Sequence, residues 1–151
     1  MPNANPEIRV VPLEGGIAEV VARFLPQNLV VDKIVPWTPQ KKASPGDVSH
    51  LQFVTSPGRL VALELLFDQA TTGVSVQPEL DRLMRMAQIV TALKRPPRIA
   101  LRWPGNALPE VRGVIEVLAI RYAVFSAAGL PIRATAMIRV REAGDLKVGK
   151  P

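Results

Sequence analysis

The chain has 151 residues, 48% apolar and 21% charged, with a net charge of +6, a composition that folds as one domain burying roughly 70% of its unfolded surface. It holds no cysteine and a single histidine, His50, which excludes disulfides, thiol catalysis, Cys-ligated zinc and any two-histidine metal site. Aromatic residues at 5% argue against stacking platforms for single strands, and the basic residues are scattered, adjacent only at Lys41-Lys42 and Lys94-Arg95, so no nucleic-acid footprint is expected.

The first twenty residues show neither a basic n-region nor an apolar h-region, and no apolar run approaches the roughly 20 residues of a spanning helix. No membrane insertion is expected, and synthesis is expected in the cytoplasm. Residues 1–16, with three prolines and a closing Gly15-Gly16, read as a leader, flexible or docked. Ile17–Phe24 and Leu29–Val35 are β-branched runs joined by Leu25-Pro26-Gln27-Asn28, a pattern that predicts a hairpin, and Pro36 ends its second strand. Residues 36–50 are rich in Pro, Lys and Ser and read as a long loop, a length uncommon in a compact domain unless it is functional or ordered by a partner. Residues 50–54 alternate briefly.

Arg59–Asp68, RLVALELLFD, is a near-continuous apolar run between Pro57-Gly58 and Thr71-Thr72-Gly73, and predicts a central strand covered on both faces. Ser75 is the expected N-cap of a helix over 77–93, with Pro78 and Glu79 in its first turn. Leu80, Leu83, Met84, Ala87 and Val90 would share its apolar face, opposite Asp81, Arg82, Arg85 and Gln88, before Arg95-Pro96-Pro97 ends it. Ile99–Trp103 is a short strand, 104–109 a loop, and Val111–Phe125 a long strand with a bend or bulge at Gly113. After the Ala127-Ala128-Gly129-Leu130 turn, Ile132–Val140 alternates, with Ile132, Ala134, Ala136, Ile138 and Val140 inward and Arg133, Thr135, Met137, Arg139 and Arg141 outward. Residues 143–151 read as a frayed tail. Strands, one helix, then strands again, without βαβ alternation, predict a mainly β domain over 17–142, an antiparallel barrel or sandwich with one packed helix.

Motifs for chemistry are few. Asp47, Ser49 and His50 share one loop, but adjacent residues do not face each other as a triad requires. Glu64 and Glu116 interrupt apolar strands and could pair as hydrolase carboxylates, although each is better read as turned to a wetter face or meeting an arginine such as Arg121 or Arg139. Gly15-Gly16 lacks the context of a phosphate loop, so no cofactor is expected. Trp37 and Trp103 read as packing anchors. The outward Arg133, Arg139 and Arg141 could bind phosphate, or line an interface or channel, the preferred reading.

Five blocks taken in order carry a resemblance: FLPQN with VDKIVPW; LQFVTSPGRLVALELLFD; ELDRLMRMAQI; RPPRIALRW; and VRGVIEVLAIRYAVFSAAGLPIRATAMIRVRE. Together, over about residues 20–142, they resemble the contractile injection system tube protein family, in particular its hub and tube-initiator rings. The positions that match are Phe24, Pro26, Glu64, Phe67, Asp68, Pro96, Pro97, Trp103, Gly113, Gly129 and Arg133, while Leu-Pro-Gln-Asn stands where family members have an Asn-Pro turn. The resemblance implies a tail-tube-like β-barrel with no catalytic residues, whose copies form a hexameric ring at the junction of spike and inner tube. Its expected partners are the spike or hub protein, the inner tube protein and baseplate components, in a particle that acts outside the cell. Many relatives continue into a lysin-motif domain, and this sequence reads as a version without one.

Within that frame Arg133, Thr135, Arg139 and Arg141 are candidates for a lumen or inter-subunit face. Trp37, Lys41, Lys42, Asp47 and His50 mark a candidate inter-ring loop. The alternative from another class is a small basic module that binds nucleic acid or an acidic protein through the arginine stripe.

Overall fold

The computed structural model describes residues 6–40, 46, 48, 50–53 and 58–144. Along them run β1 (Glu7–Pro12), β2 (Val20–Phe24), β3 (Val30–Asp32), β4 (Trp37–Pro39), β5 (Leu51–Phe53), β6 (Leu60–Asp68), α1 (Gln77–Arg85), β7 (Ile99–Arg102), β8 (Val111–Phe125) and β9 (Pro131–Glu142). β1 pairs with β2 and β7, β7 with β8, β8 with β9, β9 with β6, and β6 with β2, every pair antiparallel. The ladder thus returns to its start and closes a six-stranded barrel. The closing pair is short, Arg23 opposite Leu66 and Phe24 opposite Leu65.

Alternation fills the barrel. Val61, Leu63, Leu65 and Phe67 of β6 point in and are buried, and so are Ala134, Ala136, Ile138 and Val140 of β9. Towards one end the register sets large against small, with Phe67 opposite Ala134 and Leu65 opposite Ala136, and towards the other it sets Leu63 opposite Ile138 and Val61 opposite Val140. Ile8, Val10, Val20, Ile99, Leu101 and Val111 complete the core from the other side. Each fully buried Leu or Ile contributes roughly 1.5–3 kcal/mol, so this interior is the main source of stability. Trp103 closes one part of it edge-on to Phe24, with ring centroids 5.1 Å apart at 83°.

The helix is shorter than its periodicity predicts. It ends at Arg85, not near 93, and Met86 rather than Met84 is buried beside Leu80 and Leu83. The Val90 N–H bonds to the Arg95 carbonyl, Lys94 takes a positive φ of 59°, and the Ile89-Val90-Thr91 run adds β-branched residues that favour leaving the helix. At the other end Val76 occupies the N-cap position, and Ser75 contributes from one residue earlier, its Oγ accepting the Gln77 N–H at 3.1 Å.

Three other expectations change. Glu7–Pro12 of the presumed leader is a full barrel strand with Ile8 and Val10 in the core, so the sheet begins before Ile17. β2 and β3 do not form a hairpin. They lie end to end along one edge of β6, separated by a 3₁₀ turn at Pro26–Asn28, and the Leu25 N–H fills the gap by bonding to the Glu64 carbonyl. β6 has only one fully covered face, since Leu60, Ala62, Glu64 and Leu66 are half-buried on the outside.

β8 spans Val111–Phe125 as read from sequence, but its bulges fall between Ile115 and Val117 and between Tyr122 and Phe125, not at Gly113. Gly113 has another duty. A Cβ there would collide with the Arg141 carbonyl of the neighbouring strand, so only glycine permits this approach of β8 and β9. The clash is with backbone and cannot be relieved by a rotamer change. Gly113→Ala is therefore expected to cost about 3 kcal/mol, read as a lower midpoint in urea unfolding; an unchanged midpoint would contradict this account of the strand pair.

Candidate assembly surface

β3, β6, β9 and β8 form a four-stranded sheet whose inner face is core along β6 and β9, whereas all three residues of β3 are exposed, and whose outer face is open. The outer face carries alternate residues in rows: Val30, Ala62, Arg139 and Val117 in one, Glu64, Met137 and Ala119 in the next, then Leu66, Thr135 and Arg121. Arg139 and Met137 stand exposed and Thr135 is half-buried, as the alternation predicts. A shallow groove lined by Glu64, Arg121, Thr135 and Met137 crosses its middle.

The arginines of the stripe are not bare cations. Arg133 pairs with Asp68 at 3.1 Å, Arg141 with Glu116 at 2.6 Å, and Arg139 reaches the other Glu116 oxygen at 3.6 Å. Glu116, placed outward by the first bulge, raises the Arg141 pKa further through its hydrogen bond. Glu64 meets Asn28 rather than an arginine, accepting from its Nδ2 at 2.8 Å and stapling the turn between β2 and β3 to β6. Glu64 and Glu116 are thus held by separate partners on separate strands, and the hydrolase pair is not assembled.

Both sides of this sheet end in an unpaired strand edge among the described residues. β7 covers β8 only along Val111–Gly113, which leaves the edge from Glu116 to Phe125 open, and β3 pairs with β6 alone. Exposed strand edges are pairing templates that proteins protect unless they are used. Beyond β3, the presumed loop 36–50 contains a strand: Trp37 pairs opposite Phe53 and Pro39 opposite Leu51, and the Gln40 N–H bonds to the His50 carbonyl. Proline is tolerated there because a two-stranded ribbon has outward edges. Trp37 is 54% exposed and therefore no packing anchor within the chain, whereas Trp103 is one. His50 is exposed; Lys41, Lys42, Asp47 and Ser49 lie outside the described residues.

Two carboxylate clamps that the sequence did not reveal fix the frame around this surface. Glu142 takes the Arg59 guanidinium at 2.6 Å and the Arg59 N–H at 3.0 Å, which lowers its pKa from 4.5 to about 2. Glu14 accepts from Arg95 at 2.6 Å and from the Arg98 N–H at 2.8 Å, with the same result, and ties the β1–β2 turn to the Arg95-Pro96-Pro97 motif. Pro97 is buried beneath Gly15 in that contact. No group of His, Cys, Asp and Glu among the described residues could hold a metal, and no described helix is long and apolar enough to cross a membrane.

The family model described as contractile injection system tube protein matches residues 13–149. The chain belongs to that family. No curated protein gives a significant match. Membership makes the chain a structural component of an assembled injection particle, and the matching positions acquire physical roles. Phe24 and Trp103 meet edge-on, Phe67 and Gly113 build the β6–β9–β8 layer, Asp68 holds Arg133, and Gly129, at φ 85°, turns β8 into β9.

The clamps set the acid behaviour. A carboxylate whose folded pKa is depressed stabilises the fold above its unfolded pKa, and that contribution disappears as pH falls from about 4.5 towards 2. Allowing for solvent screening, each clamp contributes about 1 kcal/mol. The urea midpoint of the wild type is expected to drop over this window, and Glu142→Gln to start lower and drop less; identical pH slopes in the two proteins would contradict the assignment.

Proposed function

We propose that this chain closes head to tail into a six-membered ring of the inner tube, at or near its junction with the spike, through the two open edges of the β3-β6-β9-β8 sheet. The observation that carries this reading is the direction of those edges. β3 is antiparallel to β6, β6 to β9 and β9 to β8, so β3 and β8 run in opposite senses. Laying the open edge of β8 beside β3 of the next copy therefore gives an antiparallel pair and extends the sheet with the same face always turned the same way. Six copies is the number that family resemblance implies.

In that ring the row of Arg133, Thr135, Arg139 and Arg141 lies on the lumen or inter-subunit face. Its charges are compensated within each subunit by Asp68 and Glu116. That compensation supports a structural wall over the basic binding module, which needs free arginines to exchange for counterions. The ring works by matching surfaces: one side seats on the spike or hub, and the other starts or continues the stack of tube protein, with baseplate components outside.

Native mass spectrometry of the purified chain, alone and with its spike protein, is expected to give six times 16.4 kDa. Val117→Lys places a charge on the open edge of β8 at a residue 38% exposed, and is expected to abolish the ring while leaving the melting transition nearly unchanged. A wild-type monomer that persists with the spike protein present, and that binds DNA with steep salt dependence, would overturn the reading.

A further inference from the structure

Each open edge of the β3-β6-β9-β8 sheet carries one charge that its own subunit leaves unanswered. Between Glu116 and Phe125 the charged residues of β8 are Glu116, held by Arg141 and Arg139, and Arg121. Arg121 is exposed and forms no ion pair among the described residues, although it lines one groove with Glu64, which binds Asn28 instead. On β3 the charged residue is Asp32, exposed and likewise without an ion pair among the described residues. Arg121 and Asp32 lie on the same, outer face: Asp32 stands beside Leu60 and Arg121 beside Thr135.

Geometry limits how these two edges can meet. Val30, Ala62, Arg139 and Val117 stand in one row across the strands. With strands parallel to the ring axis, that row would run on into the next copy and set Val117 opposite its Val30. Closing a sheet on itself tilts the strands, typically by roughly 35–45°. Across four strands about 4.8 Å apart, such a tilt displaces the seam by about four to six residues along the strand. The step must be even, because an odd one turns every side chain to the wrong face.

The step also has a sense. One sense lays Val30 against Gly113 or still nearer Val111, where β7 already pairs with β8 through Ile99, Ala100 and Leu101. The other lays β3 along the open stretch, where β8 is regular from Val117 to Arg121. A step of four then sets Arg121 opposite Val30 and Ala119 opposite Asp32, and a step of six sets Arg121 opposite Asp32 itself. In either register Arg121 is directly or diagonally across from Asp32, a separation that a side chain of its length spans.

We infer that Arg121 of one copy pairs with Asp32 of the next across the seam and fixes the register in which the ring closes. This rests on the ring reading above and adds to it the residues that hold the two edges in step.

Both side chains are exposed, so reversing either charge is expected to leave the subunit's melting transition nearly unchanged. Arg121→Glu or Asp32→Arg alone sets like charges across every seam, and is expected to lower the yield of the six-copy mass about tenfold at low salt, in the presence of the spike protein. Mixed in equal parts, the two variants are expected to regain the ring by alternating, since each seam then joins Arg121 to Asp32 or the reversed pair. The double variant Arg121→Glu/Asp32→Arg is expected to regain it alone. Single variants that close as well as wild type, or a mixture and a double variant that both fail to recover, would overturn this inference and leave the ring reading intact. A wild-type chain that forms no ring even with its spike protein removes both.

Discussion

Leu60–Asp68 has to serve three neighbours at once, and the rest of the molecule follows from how it does so. One edge of this strand pairs along its whole length with β9. The other edge is divided, its later part closing the barrel through β2 and its earlier part carrying β3 outward. The 3₁₀ turn at Pro26–Asn28 makes the division possible by stepping the chain from one role to the next, and Glu64 holds the step from both backbone and side chain. A barrel that simply closed would have no edges to offer. One that shares β6 in this way is stable as a subunit and still exposes β3 for pairing.

The same division explains a carboxylate in the middle of an apolar strand. Burying an unpaired carboxylate would cost several kcal/mol, but Glu64 is on the outer face, with an amide partner, half in water. Along β9 the outer arginines also meet carboxylates of adjoining strands, Arg133 with Asp68 to itself and Arg139 and Arg141 sharing Glu116. The outer face therefore mixes apolar residues with ion pairs in which most of the arginine charge is offset.

Much of this was legible in the chain and some was not, for identifiable reasons. β9 was readable because alternation over a long run has no competing explanation, while β6 stood out as an apolar run between turn signals and Val111–Phe125 by its length, although neither showed which of its faces would be covered. β1 carries its own alternation in Glu7-Ile8-Arg9-Val10, but the prolines around it pointed to a leader. β4 was hidden the same way, since Pro36 and Pro39 read as loop residues, and Pro39 is tolerated because it sits in a two-stranded ribbon with outward edges. The helix end was missed because apolar spacing continued to Val90 after the backbone had turned away. Gly113 was seen as special for the wrong reason: composition flags a glycine, but not whether it bends its own strand or admits a neighbour's carbonyl. The clamps at Glu14 and Glu142 join residues more than eighty positions apart, a relation that spacing does not encode.

The central claim is that the open edges of β3 and β8 are the seam of a ring. A cryo-electron microscopy map of the assembled particle, at a resolution that separates strands, tests it most directly. The account predicts continuous sheet across each subunit boundary, with β8 of one copy antiparallel to β3 of the next. Strand edges left in solvent at that boundary, with copies joined through some other surface, would contradict it.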